Sequence, residues 1–283
     1  MTLERLSLKQ FEKFSAFIYE ISGIRIDDKK VTLLSNRIRR RLPECGVEDF
    51  DTYYDFVRSP AGAGELSGFL DAITTNETFF FRTPTQFEWL KNEWLTEQIT
   101  MQRAGQRSDR LRIWSAGCAN GAEPYSIAMC IAENLFRLKD WSIEILGTDI
   151  SQEMLNAARA GIYRDRVMEA VTEQQRRRYF KHDRQRNRWE LRESIRNMVE
   201  YKRHNLMKPL FAERFDCIFI RNVLIYFDLE SKQTAVKHLI QSLELGGYLV
   251  VGPSEGIYDL LQPLHRVSPL IYQKTARQRG ESQ

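Results

Sequence analysis

The sequence predicts an α/β protein in which a small all-helical N-terminal domain precedes a doubly wound, mostly parallel sheet. Three observations support this fold class. The first 75 residues show helical periodicity and no strand pattern. From Leu111 onward, short apolar strands alternate with helices, as in open parallel sheets. A glycine-containing turn over Ala116–Glu123 follows the first of these strands, where sheets of this kind bind their ligands.

The composition excludes several classes of protein. With 283 residues, of which 42% are hydrophobic, the chain is long enough for two cores and too apolar to be disordered. No apolar run approaches the roughly 18 residues of a membrane span, and the charged start has no secretory signal core. The four cysteines are far apart, which indicates a reducing cytoplasm, and the four histidines lack metal-ligand spacing. We therefore expect a cytoplasmic protein without membrane insertion and without a metal site.

Caps and apolar spacing predict the N-terminal helices. Ser7 and Gln10 form a capping box that begins the first helix, and Gly23 ends it. Asp28 can cap a second helix that ends near Pro43. Two shorter helices are predicted over Phe50–Val57 and Glu65–Ile73. These patterns predict a helical domain over residues 1–75, followed by a linker and a second domain over residues 76–283.

The second domain begins with a long helix, because Thr83 and Pro84 suit a helix start and apolar residues follow towards Met101. Helices are further predicted over Pro124–Leu138 and over Leu229–Leu243, and another runs from just after Asp149 through Ala158. The apolar runs predict strands over Leu111–Ser115, Ile143–Leu146, Val199–Lys202, Asp216–Ile220 and Tyr248–Val251, and one last strand within Leu264–Gln273.

A basic segment interrupts this alternation. Between Arg159 and Arg203 there are 14 Lys and Arg against 7 Asp and Glu, although the whole chain carries a net charge of only +4. We expect an inserted β-subdomain over about 161–203, in which Asn187–Leu191 pairs with Met198–Tyr201. The local charge indicates a docking surface for a protein partner rather than a nucleic-acid polycation.

The turn after the first strand is the candidate cofactor site. Gly117 and Gly121 are spaced differently from the dinucleotide fingerprint, so a pyrophosphate ligand is disfavoured. Glu123, at the start of the next helix, would repel a phosphate but suits a cationic ligand. Asp149, which ends the second strand, can accept hydrogen bonds from ribose hydroxyls. These features fit S-adenosylmethionine better than NAD, although an ordinary turn with a helix-capping aspartate has the same pattern.

One further motif points to different chemistry. Gly252-Pro-Ser-Glu-Gly256 matches the nucleophile elbow of hydrolases. Asp259 and His265 follow so closely that no catalytic triad could be spread over later strands. We therefore reject a hydrolase.

Four motifs in order resemble a known family, the CheR-type chemotaxis receptor glutamate O-methyltransferases. They are Asn76-Glu-Thr-Phe-Phe-Phe-Arg82, Gly117-Cys-Ala-Asn-Gly-Ala-Glu-Pro-Tyr-Ser126, Gly147-Thr-Asp-Ile150 and Arg221-Asn-Val-Leu-Ile-Tyr-Phe227. The resemblance covers nearly the whole chain. It implies a Rossmann-like methyltransferase sheet and methyl transfer from S-adenosylmethionine to receptor glutamates, with S-adenosylhomocysteine as the product.

The resemblance also implies roles for individual residues. Arg82 and Tyr226 would position the substrate carboxylate and are the candidate catalytic residues. The linker that carries Arg82 would close over the cofactor. The implied cofactor-binding residues are Asn76, Thr78, Arg82, Gly117, Glu123, Asp149, Asn205, Leu206, Asn222 and Val223.

The implied partner is the cytoplasmic domain of a methyl-accepting chemoreceptor, an acidic helical bundle. Arg37, Arg40 and Arg41, on or near the second helix, are the candidate docking residues. Some relatives capture a receptor's C-terminal pentapeptide on the inserted subdomain, aided by loop glycines. Here Lys181–Trp189 contains no glycine, so such tethering is not expected.

Two alternatives remain open at this stage. The arginine-rich segment prompts a nucleic-acid methyltransferase, but the Asn/Asp-Pro-Pro-aromatic motif of base-amino methylases is missing after the fourth strand, so we expect no nucleic-acid partner. The second alternative is a regulatory scaffold that binds the cofactor without catalysis.

Overall fold

The computed structural model describes residues 5–210 and 214–276 of the chain. The first four residues of the charged start and most of the polar tail beyond Lys274 lie outside the described residues. The helices are α1 (Leu8–Ser22), α2 (Val31–Arg39), α3 (Phe50–Arg58), α4 (Glu65–Ile73), α5 (Pro84–Trp89), α6 (Leu95–Arg103), α7 (Ala122–Ala132), α8 (Gln152–Ala160), α9 (Glu173–Tyr179), α10 (Glu193–Arg196) and α11 (Leu229–Ser242).

The first four helices form close to where the caps and the apolar spacing predict them, with two differences around α2. Ser7 and Gln10 make the capping box of α1, and Gly23 ends that helix in the left-handed conformation at φ +73°. The second start is one residue earlier than predicted, because Asp27 and not Asp28 caps a 3₁₀ turn that leads into α2. Pro43 begins a further 3₁₀ turn and does not end α2 itself.

A core of its own holds the helical domain together. Aromatic rings dominate this core, with Phe14 and Phe69 fully buried at ring centroids 6.1 Å apart. Leu34 and Ile38 of α2 pack into the same core. The buried side chains of this cluster lie between Leu6 and Ile73, and Ile150 of the second domain packs at its edge.

The strands of the second domain confirm the predicted alternation. In the described residues they are β1 (Arg110–Ala116), β2 (Ser142–Asp149), β3 (Ile162–Tyr163), β4 (Phe180–Asp183), β5 (Arg188–Leu191), β6 (Val199–Arg203), β7 (Phe215–Ile220), β8 (Leu243–Val251), β9 (His265–Ser268) and β10 (Ile271–Gln273). The main sheet has the order β6-β2-β1-β7-β8-β10-β9. Its first five members are parallel, and β10 runs antiparallel to both of its neighbours, β8 and β9. This is the predicted doubly wound sheet.

Two details of the strand prediction were wrong. The last predicted strand, Leu264–Gln273, is a hairpin of two strands, since the chain turns at Pro269 and Leu270. The predicted pairing of Asn187–Leu191 with Met198–Tyr201 does not occur. Instead β5 lies between β3 and β4 in a small antiparallel sheet, whereas β6 joins the main sheet beside β2.

The helical domain is attached to the second domain at the end of α1. The Asn205 side chain donates to the Ile21 carbonyl at 2.8 Å, and the Arg25 amide donates to the Tyr226 carbonyl at 2.9 Å. Ile24 and Phe227 form an antiparallel β-bridge at the same place. The two domains are thereby joined next to the carboxyl ends of the strands. In the described part of the chain, every helix falls short of the length and apolarity needed to cross a bilayer.

Gly23 allows this close contact, and its replacement is a test of the domain junction. A Cβ on Gly23 would lie 2.5 Å from Met207 Sδ, in addition to the strain of its φ of +73°. Gly46 has a similar φ of +67°, but a Cβ there would have nothing within 4 Å. We expect Gly23→Ala to lower the free energy of unfolding by about 1 kcal/mol more than Gly46→Ala, because only the former adds an overpacking cost. Equal losses in urea denaturation would contradict this explanation.

Candidate active site

The carboxyl ends of the parallel strands open into one cleft, at the point where the strand order reverses between β1 and β7. The helical domain and the 73–82 linker form the other wall of this cleft. The structure brings every sequence-predicted catalytic and cofactor-binding residue to the lining of this cleft, namely Asn76, Thr78, Arg82, Gly117, Glu123, Asp149, Asn205, Leu206, Asn222, Val223 and Tyr226.

The turn after β1 approaches the neighbouring strand end closely. Gly117 has a φ of +77°, and a Cβ at this position would lie 2.4 Å from Val223 Cγ2. The amides of Gly117 and Cys118 both donate to the Thr148 carbonyl at 2.8 Å. Glycine is therefore required at 117 both for its backbone conformation and for the contact with Val223.

Asp149 fixes this turn from the end of β2. Its Oδ2 accepts from the Ala119 amide at 2.8 Å, and its Oδ1 accepts from the Ser151 amide at 2.9 Å. The side chain is buried, and burial raises the pKa of the Asp149 carboxyl although the two backbone donors oppose that shift. Each carboxylate oxygen retains acceptor capacity towards the cleft, as binding of a diol requires.

Glu123 has a buried counter-ion that the sequence analysis missed. Its carboxylate accepts from Ser115 Oγ at 2.7 Å and forms an ion pair with Arg221 Nη1 at 3.1 Å. The Arg221 side chain is only 2% exposed. Glu123 and Arg221 together form a neutral pair, so Glu123 does not repel a phosphate through a net negative charge as the sequence alone suggested. What Glu123 still offers a ligand is hydrogen-bond acceptor capacity.

The loop that carries Asn222, Val223 and Tyr226 is held by Glu255, a carboxylate to which the sequence analysis gave no role. Asn222 has a φ of +59°, which is uncommon for a residue with a side chain. Glu255 accepts from the Asn222 amide and, at 2.8 Å, from the Leu224 amide. Burial raises the pKa of Glu255, and the backbone donors oppose this. Glu255 belongs to the Gly252–Gly256 motif, which here anchors a loop instead of presenting a nucleophile.

Asn205 lies on the lining, but its side chain is engaged elsewhere. The amide nitrogen donates to Ile21 O in α1, and Oδ1 accepts from the Met207 amide at 3.0 Å. Asn205 thus links the helical domain to the strand end of β6. Any contact it makes with a ligand would come from the remaining lone pairs or from its backbone.

The linker presents Arg82 in an unusual backbone conformation. Its neighbours Phe81 and Thr83 have φ values of +53° and +58°. The Arg82 guanidinium donates to the Glu77 carbonyl at 3.2 Å and lies over the Phe79 ring at 5.5 Å. Asn76 donates to Thr74 Oγ1 at 3.1 Å, which ties the start of the linker to the end of α4.

The helical domain adds cations to the cleft that the sequence analysis did not assign to it. Arg25 and Lys30 lie on the lining, as does the predicted docking residue Arg37. The Lys30 ammonium lies 6.0 Å from the centroid of the Tyr226 ring. No sequence motif marks Arg25 and Lys30, because their position depends on how the two domains pack.

The chemistry of the lining fits S-adenosylmethionine. The cleft is open to solvent and is lined by residues of both domains. Asp149 and Glu123 place hydrogen-bond acceptors on this lining, of the kind that ribose hydroxyls and an ammonium group would require. Within residues 5–210 and 214–276, His, Cys, Asp and Glu side chains form no cluster able to hold a metal ion.

Comparison with known proteins decides the family. The profile of the CheR methyltransferase all-alpha domain matches residues 9–74, and that of the CheR methyltransferase SAM binding domain matches residues 76–268. The chain belongs to the CheR methyltransferase family. It is 34% identical to the chemotaxis protein methyltransferase of Borreliella burgdorferi over 273 residues, which cover 94% of each chain.

Two further relatives have similar coverage. Chemotaxis protein methyltransferase 1 of Pseudomonas aeruginosa is 37% identical over 256 residues, 88% of this chain and 91% of the relative. The chemotaxis protein methyltransferase of Escherichia coli is 35% identical over 264 residues, 91% of this chain and 88% of the relative. The chain is thus an S-adenosylmethionine-dependent chemotaxis protein methyltransferase, which confirms the activity and cofactor predicted from the motifs.

Proposed function

We propose that this enzyme transfers the methyl group of S-adenosylmethionine to glutamate side chains in the cytoplasmic domain of a chemoreceptor, and so adjusts signalling. Membership of the CheR family supports a chemoreceptor substrate. The observation that supports the glutamate assignment is that one cleft lining contains a guanidinium and a phenol, those of Arg82 and Tyr226, together with the proposed cofactor residues. These are donors suited to a carboxylate.

The chain needs to supply little acid–base chemistry for this reaction. A glutamate carboxylate has a reference pKa of about 4.3, so it is already a nucleophile at neutral pH. The cofactor, when bound, supplies a methyl group on a positively charged sulfur. The proposed role of Arg82 is to hold the carboxylate by paired hydrogen bonds, and that of Tyr226 is to add an orienting hydroxyl. The walls of the cleft exclude water while methyl passes to oxygen, leaving a methyl ester and S-adenosylhomocysteine.

Labelled S-adenosylmethionine tests this function directly. We expect incubation with receptor cytoplasmic domains to give protein-bound label that mild base releases as methanol, as a glutamate methyl ester requires. Changing the target glutamates to alanine should remove the label. Base-stable label, or label on a polynucleotide instead, would contradict the proposal.

The docking surface for the receptor is proposed to include Arg37 and Arg40 but not Arg41. Arg40 is exposed, and Arg37 reaches the cleft while donating to Thr75 Oγ1 at 2.8 Å. Arg41 turns inward: its Nη2 lies 2.6 Å from Glu65 and its Nη1 lies 2.6 Å from Glu44. Hydrogen bonding to Glu65 raises the pKa of Arg41. We therefore give Arg41 a structural role in the helical domain.

Arg40→Glu should weaken receptor docking with little effect on folding. We expect the KM for a receptor fragment to rise about fivefold, the size of one exposed charge interaction, and the effect to shrink in high salt. Lys9→Glu, the same charge change at an exposed site on α1 outside the cleft lining, is the matched control. Arg41→Ala should instead lower the melting temperature. Equal KM effects of the Arg40 and Lys9 variants would contradict a localised docking surface.

We further propose that receptor recognition does not depend on a C-terminal pentapeptide. The turn between β4 and β5 covers only residues 184–187 and contains no glycine, which supports this. Calorimetric titration with such peptides tests it, since micromolar binding would overturn the proposal.

Two organisational features are also proposed. The boundary between residues 1–75 and residues 76–283 is supported by the separate hydrophobic core of α1 to α4. Action in the cytoplasm is supported by the four cysteines, all of which are unpaired.

A further inference from the structure

Arg221 is a buried cation whose partners belong to two different parts of the active site. It follows directly after β7, and its side chain is 2% exposed. A guanidinium in such a place must have its charge paired by the protein. Burial lowers the pKa of Arg221, which the neighbouring Glu123 opposes.

The first partner belongs to the proposed cofactor site and the others to the linker. Nη1 pairs with Glu123 at 3.1 Å, whereas Nη2 donates to the Arg82 carbonyl and, at 3.0 Å, to Thr83 Oγ1. The guanidinium also lies 5.6 Å from the centroid of the Phe87 ring. One side chain thus connects the first turn of α7 to the backbone that carries Arg82.

The linker needs this restraint. Phe81 and Thr83, on either side of Arg82, both have left-handed φ values, and Thr83 is β-branched. Such residues persist in this conformation only where surrounding contacts enforce it. The contacts here are the Phe81 amide donating to Ser126 Oγ at 2.9 Å and the two hydrogen bonds from Arg221.

We propose that Arg221 is a positioning residue that couples the cofactor site at Glu123 to the orientation of Arg82. A ligand that engages Glu123 fixes the carboxylate, the carboxylate fixes the guanidinium, and the guanidinium fixes the linker. The role of Arg82 in this chain of contacts rests on the proposed function. The coupling itself concerns only the protein and its cofactor product.

Hydrogen exchange tests the coupling without any methyl transfer. In the wild-type protein, S-adenosylhomocysteine should slow amide exchange in peptides that cover residues 76–83. Arg221→Lys keeps a charge near Glu123, but its one nitrogen cannot occupy the positions of both Nη1, which binds Glu123, and Nη2, which binds the linker. We expect this variant to bind the product within about threefold of wild type while the protection of residues 76–83 is lost.

Transfer kinetics supply the second arm. We expect Arg221→Lys to lower kcat about 100-fold, the loss typical of a reacting group displaced by about 1 Å. Thr83→Val removes one acceptor and leaves Arg221 in place, and should lower kcat by about fivefold with the product affinity unchanged, which corresponds to one hydrogen bond. The double variant with Arg221→Lys and Arg82→Lys should lose much less kcat than the product of the two single losses. The reason is that both substitutions act through the position of the Arg82 guanidinium.

A partly buried ion pair at the opposite end of the sheet serves as the control for a purely structural role. Arg107 lies 3.1 Å from Asp216 at the start of β7 and is 12% exposed. Arg107→Lys should reduce stability without changing kcat or the protection of the linker. If S-adenosylhomocysteine slowed amide exchange of residues 76–83 in Arg221→Lys and in Thr83→Val as much as in the wild type, the proposed coupling would be wrong. A different outcome would refute the proposed function and leave the coupling intact. In that outcome the Arg221→Lys variant loses the protection of residues 76–83, but the wild-type enzyme has no activity on receptor glutamates.

Discussion

Replacement of Arg82 by alanine is expected to reduce methyl transfer by about 100- to 1,000-fold, the loss typical when a donor aimed at a reacting oxygen is removed. The guanidinium is the group in the proposed mechanism that holds both oxygens of the glutamate carboxylate. Without it, the carboxylate can approach the cleft but is not aligned. The measurement is the initial rate of ester formation at saturating labelled S-adenosylmethionine.

The fold should survive this change, because the Arg82 side chain is only half-buried. Its contacts are the Glu77 carbonyl and the Phe79 ring, and Phe79 is itself 39% exposed. Arg82→Lys is the conservative variant, expected to lose about tenfold, because it keeps a point charge but cannot form paired hydrogen bonds. Wild-type turnover in Arg82→Ala would show that another group positions the substrate.

The residues of the cleft could be predicted where the topology brings sequence motifs together. Gly117, Asp149 and Asn222 all lie at or just beyond the carboxyl ends of parallel strands, and such ends meet at one edge of the sheet. Apolar runs therefore located these residues once the strands were assigned. The same reasoning gave the chain order of the five parallel strands of the main sheet, but it missed the short strands β3 and β4 and merged β9 and β10 into one strand.

The partners of buried charges could not be predicted in this way. Glu123 and Arg221 are 98 residues apart, and Asn222 and Glu255 are 33 apart. Each charge has a reasonable role on its own, and only packing shows that they satisfy one another. Arg41 is the reverse case: its run of arginines suggested a surface, yet Glu65 draws it inward.

Two of the errors could have been avoided from the sequence. Pro269 cannot donate to a sheet ladder, and it stands where the predicted last strand turns into a hairpin. Asp27 and Asp28 are adjacent, and aspartate is a residue type that caps helices. The sequence therefore allowed two start positions for the second helix, one residue apart. The cations Arg25 and Lys30 left no such signal, since they reach the cleft through the contact between domains.

The second large effect is expected at Asp149. An asparagine there can accept through one atom only, and its amino group would face either the Ala119 or the Ser151 amide as a second donor. We expect the affinity for S-adenosylhomocysteine to fall about 100-fold, or ~2.8 kcal/mol, the range of one or two hydrogen bonds to a charged acceptor. Calorimetric titration measures this loss.

The expected loss at Asp149 has two sources, which a comparison of affinity with the stability of the variant separates. One is the lost acceptor for ribose hydroxyls, and the other is a loosened turn at Ala119, whose φ of +46° depends on its hydrogen bond. Glu153→Gln removes an exposed carboxylate of α8 nearby and should leave binding unchanged. If Asp149→Asn bound the product like wild type, the ribose would have to be recognised elsewhere. If it lost affinity in proportion to stability alone, the turn and not the carboxylate would be the cause.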